Sequence, residues 1–250
     1  MKYVKGLWFW TTAVFLTTVT HSIISVARFL NMIGFPVDYS EFAHTASGVW
    51  GRSMFFLTPG WNMEVYGKEN LPPKGKAVVY VSNHQSNADI WAVYFLRRRF
   101  SWLSKAEVFK IPMIGRTMGW AGYIGIKRGI KTSHVEAMEQ SKQRLKDNIS
   151  MFFFPEGTRS KDKRLQSFKS GAFRLAEECK VDIVPLILKG TGDLLEKGSL
   201  IPASHAKVEL HVMPTIAHVG KTPNQLCDET HKAMLEKYSQ LSPEYSSNGE

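Results

Sequence analysis

His84 and Asp89 stand five residues apart in the stretch Asn83-His84-Gln85-Ser86-Asn87-Ala88-Asp89. A histidine held by a carboxylate can act as a general base near neutral pH. On a regular helix, five residues turn through about 500°, and the two side chains would diverge by about 140°. They meet only if a turn lies between them, and Ser86 and Asn87 supply turn and N-cap chemistry there. Asp89, in the first turn of the following helix, could then hold one imidazole nitrogen and leave the other free to take a proton. Taken alone, such a pair more often means a loop histidine beside a helix-start charge. A metal role has no third ligand nearby.

A second segment adds to it. Met151-Phe152-Phe153-Phe154 reads as a buried strand and ends at Pro155-Glu156-Gly157-Thr158-Arg159-Ser160. Proline stops the ladder, and Gly157 allows a tight turn or a close backbone approach. Arg159 therefore falls at the carboxyl end of a strand, where α/β sheets bind ligands. Its planar guanidinium suits two oxygens of a phosphate. Arg159, Lys161, Lys163, Arg164 and Lys169 face a single acid, Asp162, over this loop. Lys161 and Lys163 read as solvated loop charges, whereas Arg159 reads as a phosphate ligand.

The elements that must position these residues follow from pattern. Strands are predicted over 63–66, 77–82, 123–126, 150–154, 182–188 and 207–212, each short, β-branched or aromatic, and bounded by Gly, Pro or Asn. Helices are predicted over 88–96, 113–120, 131–147, 170–178 and 223–238. Their alternation specifies an α/β fold, a mixed sheet flanked by helices. Before it lie two apolar stretches, 6–27 and about 42–61. The first has no charge but carries Thr11, Thr12, Thr17, Thr18, Thr20, His21, Ser22 and Ser25; the second contains His44 and Arg52 and ends at Pro59-Gly60. Both read as helices that bind or enter a membrane, the alternative being core helices. The organisation expected is a membrane-associating helical motif at 1–60, a catalytic domain at 61–238 and a polar, frayed tail at 239–250.

At 250 residues with 44% apolar content the chain can build a packed core. Cys179 and Cys227 fit no disulfide framework or metal spacing and read as reduced intracellular thiols. The net charge is +10, and the first sixty residues contribute only Lys2, Lys5, Arg28 and Arg52 against Asp38 and Glu41. A basic surface suits anionic lipid, nucleic acid or an acidic protein. Nucleic acid is disfavoured, because the chain has no helix-turn-helix and no basic-aromatic module.

The two segments, in this order, resemble the 1-acylglycerol-3-phosphate acyltransferase family of glycerolipid acyltransferases. Asn83, His84 and Asp89 match its first motif, and Phe154 to Ser160 match its Phe-Pro-Glu-Gly-Thr-Arg-Ser motif in full. Lys105, Pro112, Gly115, Gly122, Ile126 and Arg128 match a second block, and Val184-Pro185-Leu186 a fourth. The resemblance spans roughly residues 60–215. It implies acyl transfer from a thioester, acyl-CoA or acyl-acyl carrier protein, to the 2-hydroxyl of 1-acylglycerol-3-phosphate, giving phosphatidic acid. His84 would be the base and Asp89 its orienting partner. Arg159, with Lys105 and Arg128, would hold the phosphate; Glu156, Gly157 and Thr158 would complete the substrate site. Backbone N–H groups near Gly125 or Gly157 are candidate oxyanion donors. No Gly-x-Ser-x-Gly elbow occurs, so direct transfer without a covalent acyl-enzyme is expected. No metal and no cofactor beyond the thioester co-substrate is implied. The partners expected are the lysophospholipid, its acyl donor, the membrane lipid surface and, as a candidate, acyl carrier protein. A different lysophospholipid acceptor and an inactive membrane-binding scaffold are the alternatives.

Topology narrows the location. Lys2 and Lys5 favour a cytoplasmic amino end. A single crossing would then carry the catalytic domain away from its thioesters. A return through the second stretch would bury Arg52 near mid-span at a cost of about 2.5–3.5 kcal/mol. A monotopic arrangement on the cytoplasmic face avoids both problems.

Overall fold

The runs that read as strands hydrogen-bond into one sheet, and one further strand joins them. In the computed structural model, residues 2–195 and 199–245 are described. The strands are β1 (Trp61–Tyr66), β2 (Val79–Ser82), β3 (Phe100–Lys105), β4 (Ile124–Ile126), β5 (Ser150–Phe153), β6 (Ile183–Lys189) and β7 (Ala206–Val212). Their spatial order is β1-β7-β6-β2-β5-β3-β4. Neighbours are parallel except β6 with β7. The sheet is therefore mixed, as expected. The helices are α1 (Lys2–Met32), α2 (Tyr39–Phe56), α3 (Asp89–Val93), α4 (Ile114–Trp120), α5 (Lys131–Lys146), α6 (Gly171–Cys179), α7 (Thr191–Leu194) and α8 (Pro223–Leu241).

The central strands show why helices cover both faces. In β2 every residue is buried. Tyr80 joins a cluster with Trp91, Trp102 and Phe152, under α1, α2 and α3, while Val79 and Val81 join one with Phe173, Leu175 and Met234 under α6 and α8. Successive side chains of a strand point to opposite faces, so a strand apolar at every position needs a layer on each side.

Three elements differ from expectation. The unpredicted β3 follows the run Arg97-Arg98-Arg99 and alternates Phe100 and Trp102 with Ser101 and Leu103. Pairing with β5 on one side and β4 on the other secures it, which local pattern could not reveal. The short α7 was likewise not predicted. At the carboxyl end, α8 runs on to Leu241 and a 3-10 turn covers Pro243–Tyr245, so the expected tail is ordered that far. The reason is packing: Tyr238 is buried and Lys189 Nζ donates to the Leu241 carbonyl at 2.5 Å. Residues 246–250 of the expected tail lie outside the described residues.

The two amino-terminal helices are buried to different extents. Asp38 caps α2 by accepting from the Ser40 and Glu41 N–H groups at 3.1 and 3.0 Å. That cap starts the helix at Tyr39, earlier than the apolar pattern implied. One face of α2 is core, with Ala43, His44, Met54 and Phe55 buried. Arg52 folds back along it and donates to the Tyr94 carbonyl at 3.1 Å. By contrast α1 buries Phe9, Ile24 and Ala27 and exposes Val4, Leu7, Val14, Phe15, Val26 and Phe29. Phe9 lies against Trp61 and Trp91, with ring centroids 5.3 and 5.5 Å away. Polar contacts pin the same side: Trp50 Nε1 donates to Thr17 at 3.1 Å, and His21 pairs with Thr117 at 3.0 Å.

Candidate active site

The pairing of β2 with β6 delivers His84 to the carboxyl end of the sheet. Asn83 continues the ladder with its side chain, donating to the Leu188 carbonyl and accepting the Leu188 N–H, both at 2.8 Å. The backbone is thereby released one residue early, and His84 turns out of the sheet. Asp89 closes the turn. One carboxylate oxygen, Oδ2, accepts from His84 Nδ1 at 2.6 Å, from the Gln85 N–H at 2.8 Å and from the Ser86 N–H at 3.0 Å. The Asp89 side chain is fully buried and the His84 side chain 18% exposed. With Oδ2 the acceptor for all three contacts, the tautomer that fits is Nδ1–H donating to Asp89, which leaves the Nε2 lone pair free. Sequence had assigned cap chemistry to Ser86 and Asn87. Ser86 does make the turn, its hydroxyl accepting the Ala88 N–H at 3.1 Å and donating to Leu195 at 2.6 Å. No side chain caps α3, and Asn87 instead faces the cavity described below.

The Phe154–Ser160 segment is bolted to this turn. The His84 ring stacks on Phe154 with centroids 4.0 Å apart and planes at 17°. The His84 N–H donates to Glu156 Oε1 at 3.0 Å, and the His84 carbonyl accepts the Ser160 N–H at 2.8 Å. Gly157 sits at φ +74°, and a Cβ there would lie 2.7 Å from Lys169 Nζ. Both facts favour glycine at this position. The Gly157 N–H is engaged by the Phe154 carbonyl at 3.0 Å.

Glu156 stands behind the histidine. It is 5% exposed, and Gln166 Nε2 donates to its second oxygen at 2.6 Å. Burial pushes its carboxyl up to about 7, against the two donors, with the Asp89 charge adding to the rise. A carboxyl raised in the fold binds its proton more tightly folded than unfolded. The associated stability is complete below the ordinary carboxylate range and is lost as pH rises through about 7. Glu156→Gln keeps an acceptor for the His84 N–H, and Gln166 can turn its amide to match. Thermal unfolding from pH 5 to 8 should therefore show the native protein losing more stability than Glu156→Gln, by about 3 kcal/mol at most. Parallel curves would remove this account of Glu156.

A cavity of about 790 Å³ opens in front of Nε2. Its wall brings together His84, Lys105, Arg128, Gly157, Thr158 and Arg159. Asp89 and Glu156 lie behind it, supporting His84. Lys105 is ion-paired with Glu107 at 3.6 Å, and Arg128 is exposed on the loop after β4. Between β3 and that loop, Gly115 lets the chain close on itself: a Cβ there would lie 2.0 Å from the Phe109 carbonyl oxygen. The remaining wall is mostly apolar, with Trp102, Tyr123, Val108, Met118 and Phe154 prominent. Sequence reasoning missed the share taken by the first two helices: Thr17 and Thr20 of α1 and Ser47 and Trp50 of α2 line the same cavity. The threonines that broke the apolar run in α1 were the available signal. Cys179 and Cys227 are free thiols away from this wall, and burial raises both.

An Asp89-held histidine, three cationic side chains and an apolar wall thus share one cavity. A profile described as Acyltransferase matches residues 62–189. The chain belongs to the acyltransferase family. Its similarity runs to the 1-acyl-sn-glycerol-3-phosphate acyltransferases of that family. It is 38% identical to a chloroplastic member from Arabidopsis thaliana over 78% of this chain and 54% of that one. It is 36% identical to a member from Chlamydomonas reinhardtii over 80% and 59%, and 30% identical to the mouse alpha enzyme over 76% and 68%. The chain thus spans little more than half the length of the plant and algal relatives. The crystal structure of the 1-acyl-sn-glycerophosphate acyltransferase from Thermotoga maritima shares the fold, with a TM-score of 0.82 at 22% identity over 99% of this chain and 100% of that one.

Proposed function

We propose that the protein transfers an acyl chain from acyl-CoA or acyl-acyl carrier protein to the 2-hydroxyl of 1-acylglycerol-3-phosphate, forming phosphatidic acid. The observation that carries this is His84, fixed by Asp89, on one cavity wall with Arg159, Lys105 and Arg128. Nε2 takes the proton of the 2-hydroxyl as its oxygen attacks the thioester carbonyl carbon. The tetrahedral intermediate collapses, the C–S bond breaks, and the imidazolium returns the proton to the departing thiolate. Asp89 stabilises the imidazolium between the two events, and no acyl-enzyme forms. The guanidinium of Arg159 holds the phosphate as a fork, with Lys105 and Arg128 adding charge. Purified protein in detergent, given both donor types and a panel of lysophospholipids, should yield phosphatidic acid by mass spectrometry. Equal turnover of acceptors lacking an anionic monoester phosphate would rule out the phosphate role.

The protein acts, on the same reading, as a monotopic enzyme on the cytoplasmic face. The face of α1 that exposes Leu7 and Phe15 is turned away from the sheet. At 31 residues the helix is about 46 Å long, enough to cross a bilayer core. Its inner side, though, is held to the domain by Phe9, Thr17 and His21 and lines the cavity. A helix so attached lies along the surface and sets the cavity mouth against the lipid. Leu7→Glu with Phe15→Glu should abolish sedimentation with anionic vesicles and spare turnover of detergent-dispersed acceptor. Retained vesicle binding would exclude this face. A cysteine placed at Phe35 should be labelled in sealed vesicles only from the side that labels the catalytic domain; labelling from the far side would overturn the monotopic arrangement.

A further inference from the structure

The last helix reaches the site from the rear. Tyr238 of α8 is 2% exposed. Its hydroxyl accepts from Gln85 Nε2 at 2.5 Å and donates to the Lys163 carbonyl at 2.5 Å. The Gln85 amide also reaches that carbonyl, at 3.1 Å. Gln85 follows His84 directly, and its N–H is one of the donors that fix Asp89. Lys163 lies on the loop that carries Arg159 and has φ 62°. A lysine in the left-handed region is disfavoured and persists where its surroundings hold it. Here two side-chain donors hold its carbonyl, while its ammonium, read from sequence as a solvated charge, pairs with Asp193 and lies over the Tyr245 ring. Lys189 ties the end of α8 to β6.

We propose that Tyr238 is a positioning residue: its hydroxyl pins the Lys163 turn to the His84 loop and thereby sets the general base and the phosphate-holding Arg159 at their working separation. The proposal rests on the roles given above to His84 and Arg159. Phenylalanine fills the same volume, and the Gln85 amide can still meet the Lys163 carbonyl, so removing the hydroxyl loosens a register without emptying the core. The hydroxyl belongs to residues outside the matched family segment, which ends at residue 189.

Tyr238→Phe tests it with lysophosphatidic acid as acceptor. Small misplacements of reacting groups cost up to about 10²-fold. The expected result is a fall in kcat of about tenfold and a several-fold rise in KM for the acceptor. KM for the thioester and the thermal midpoint should hardly change. Adding Gln85→Met should cost more than either single change, because it removes the donor that Tyr238→Phe leaves on the Lys163 carbonyl. An unchanged kcat and acceptor KM in folded Tyr238→Phe would overturn the proposal. So would a loss that tracks the folded fraction with KM unaltered. His84→Ala in the same assay separates the two levels. If His84→Ala is inactive and Tyr238→Phe is normal, only the positioning role falls; if His84→Ala is active, the site reading falls with it.

Discussion

His84→Ala is expected to lower turnover by about 10²–10⁴-fold, the contribution of a positioned general base, and to leave the fold in place. The fold should survive because His84 supports its neighbours through its backbone, donating to Glu156 and accepting from Ser160. Alanine keeps both bonds. What it removes is the ring: Nε2, the contact with Phe154 and the bond to Asp89. Asp89 retains the Gln85 and Ser86 N–H groups, so its buried carboxylate is not abandoned. Asp89→Asn should also fall steeply, by reversing the tautomer and removing the charge opposite the imidazolium. The measurement is kcat/KM beside a thermal unfolding curve. Turnover within about threefold of native in a folded His84→Ala protein would mean that proton transfer lies elsewhere.

The second large effect belongs to Arg159. Arg159→Ala should reduce kcat/KM for lysophosphatidic acid by about 10²-fold, as expected for a lost charge-assisted fork to phosphate. The loss should appear chiefly in KM. Arg159→Lys should recover only part, because an ammonium replaces a planar pair of donors with a point charge. Gly157, the Ser160 bond to His84 and the Tyr238 bond to Lys163 hold the loop in both variants, so the backbone should keep its course. An equal loss on a neutral lysolipid acceptor would show that Arg159 supports the loop and does not bind phosphate.

The sequence was most legible where local chemistry and tertiary need coincide. The turn between His84 and Asp89 was required by helical angle alone, and the 2.6 Å contact meets that requirement. Six strands were marked by apolar runs closed by Gly, Pro or Asn. Less legible were features whose stabilisation comes from far along the chain. Strand β3 owes its place to neighbours on both sides. Glu156 read as a substrate-site residue that orients the site or a glycerol hydroxyl, and nothing local reveals that it would do so through the His84 backbone and Gln166. Tyr238 read as the last residue of a predicted helix, and its bond to Gln85 crosses 153 positions. Thr17 and Thr20 counted in sequence against an easy membrane span, whereas in space they furnish polar wall to the cavity.

The pairing of β1 with β7 also governs how the molecule is made. Trp61 is registered against Ala206, and among the described residues β1 has no other strand beside it. On a ribosome adding about 5–20 residues per second, β1 waits roughly 7–30 s for its partner to be synthesised. Over that interval Trp61, against which Phe9 seats, is itself not yet fixed. The seat that Trp61 gives to Phe9 therefore depends on a strand translated long after α1. Helix α1 is thus complete long before the sheet edge that receives its inner apolar side.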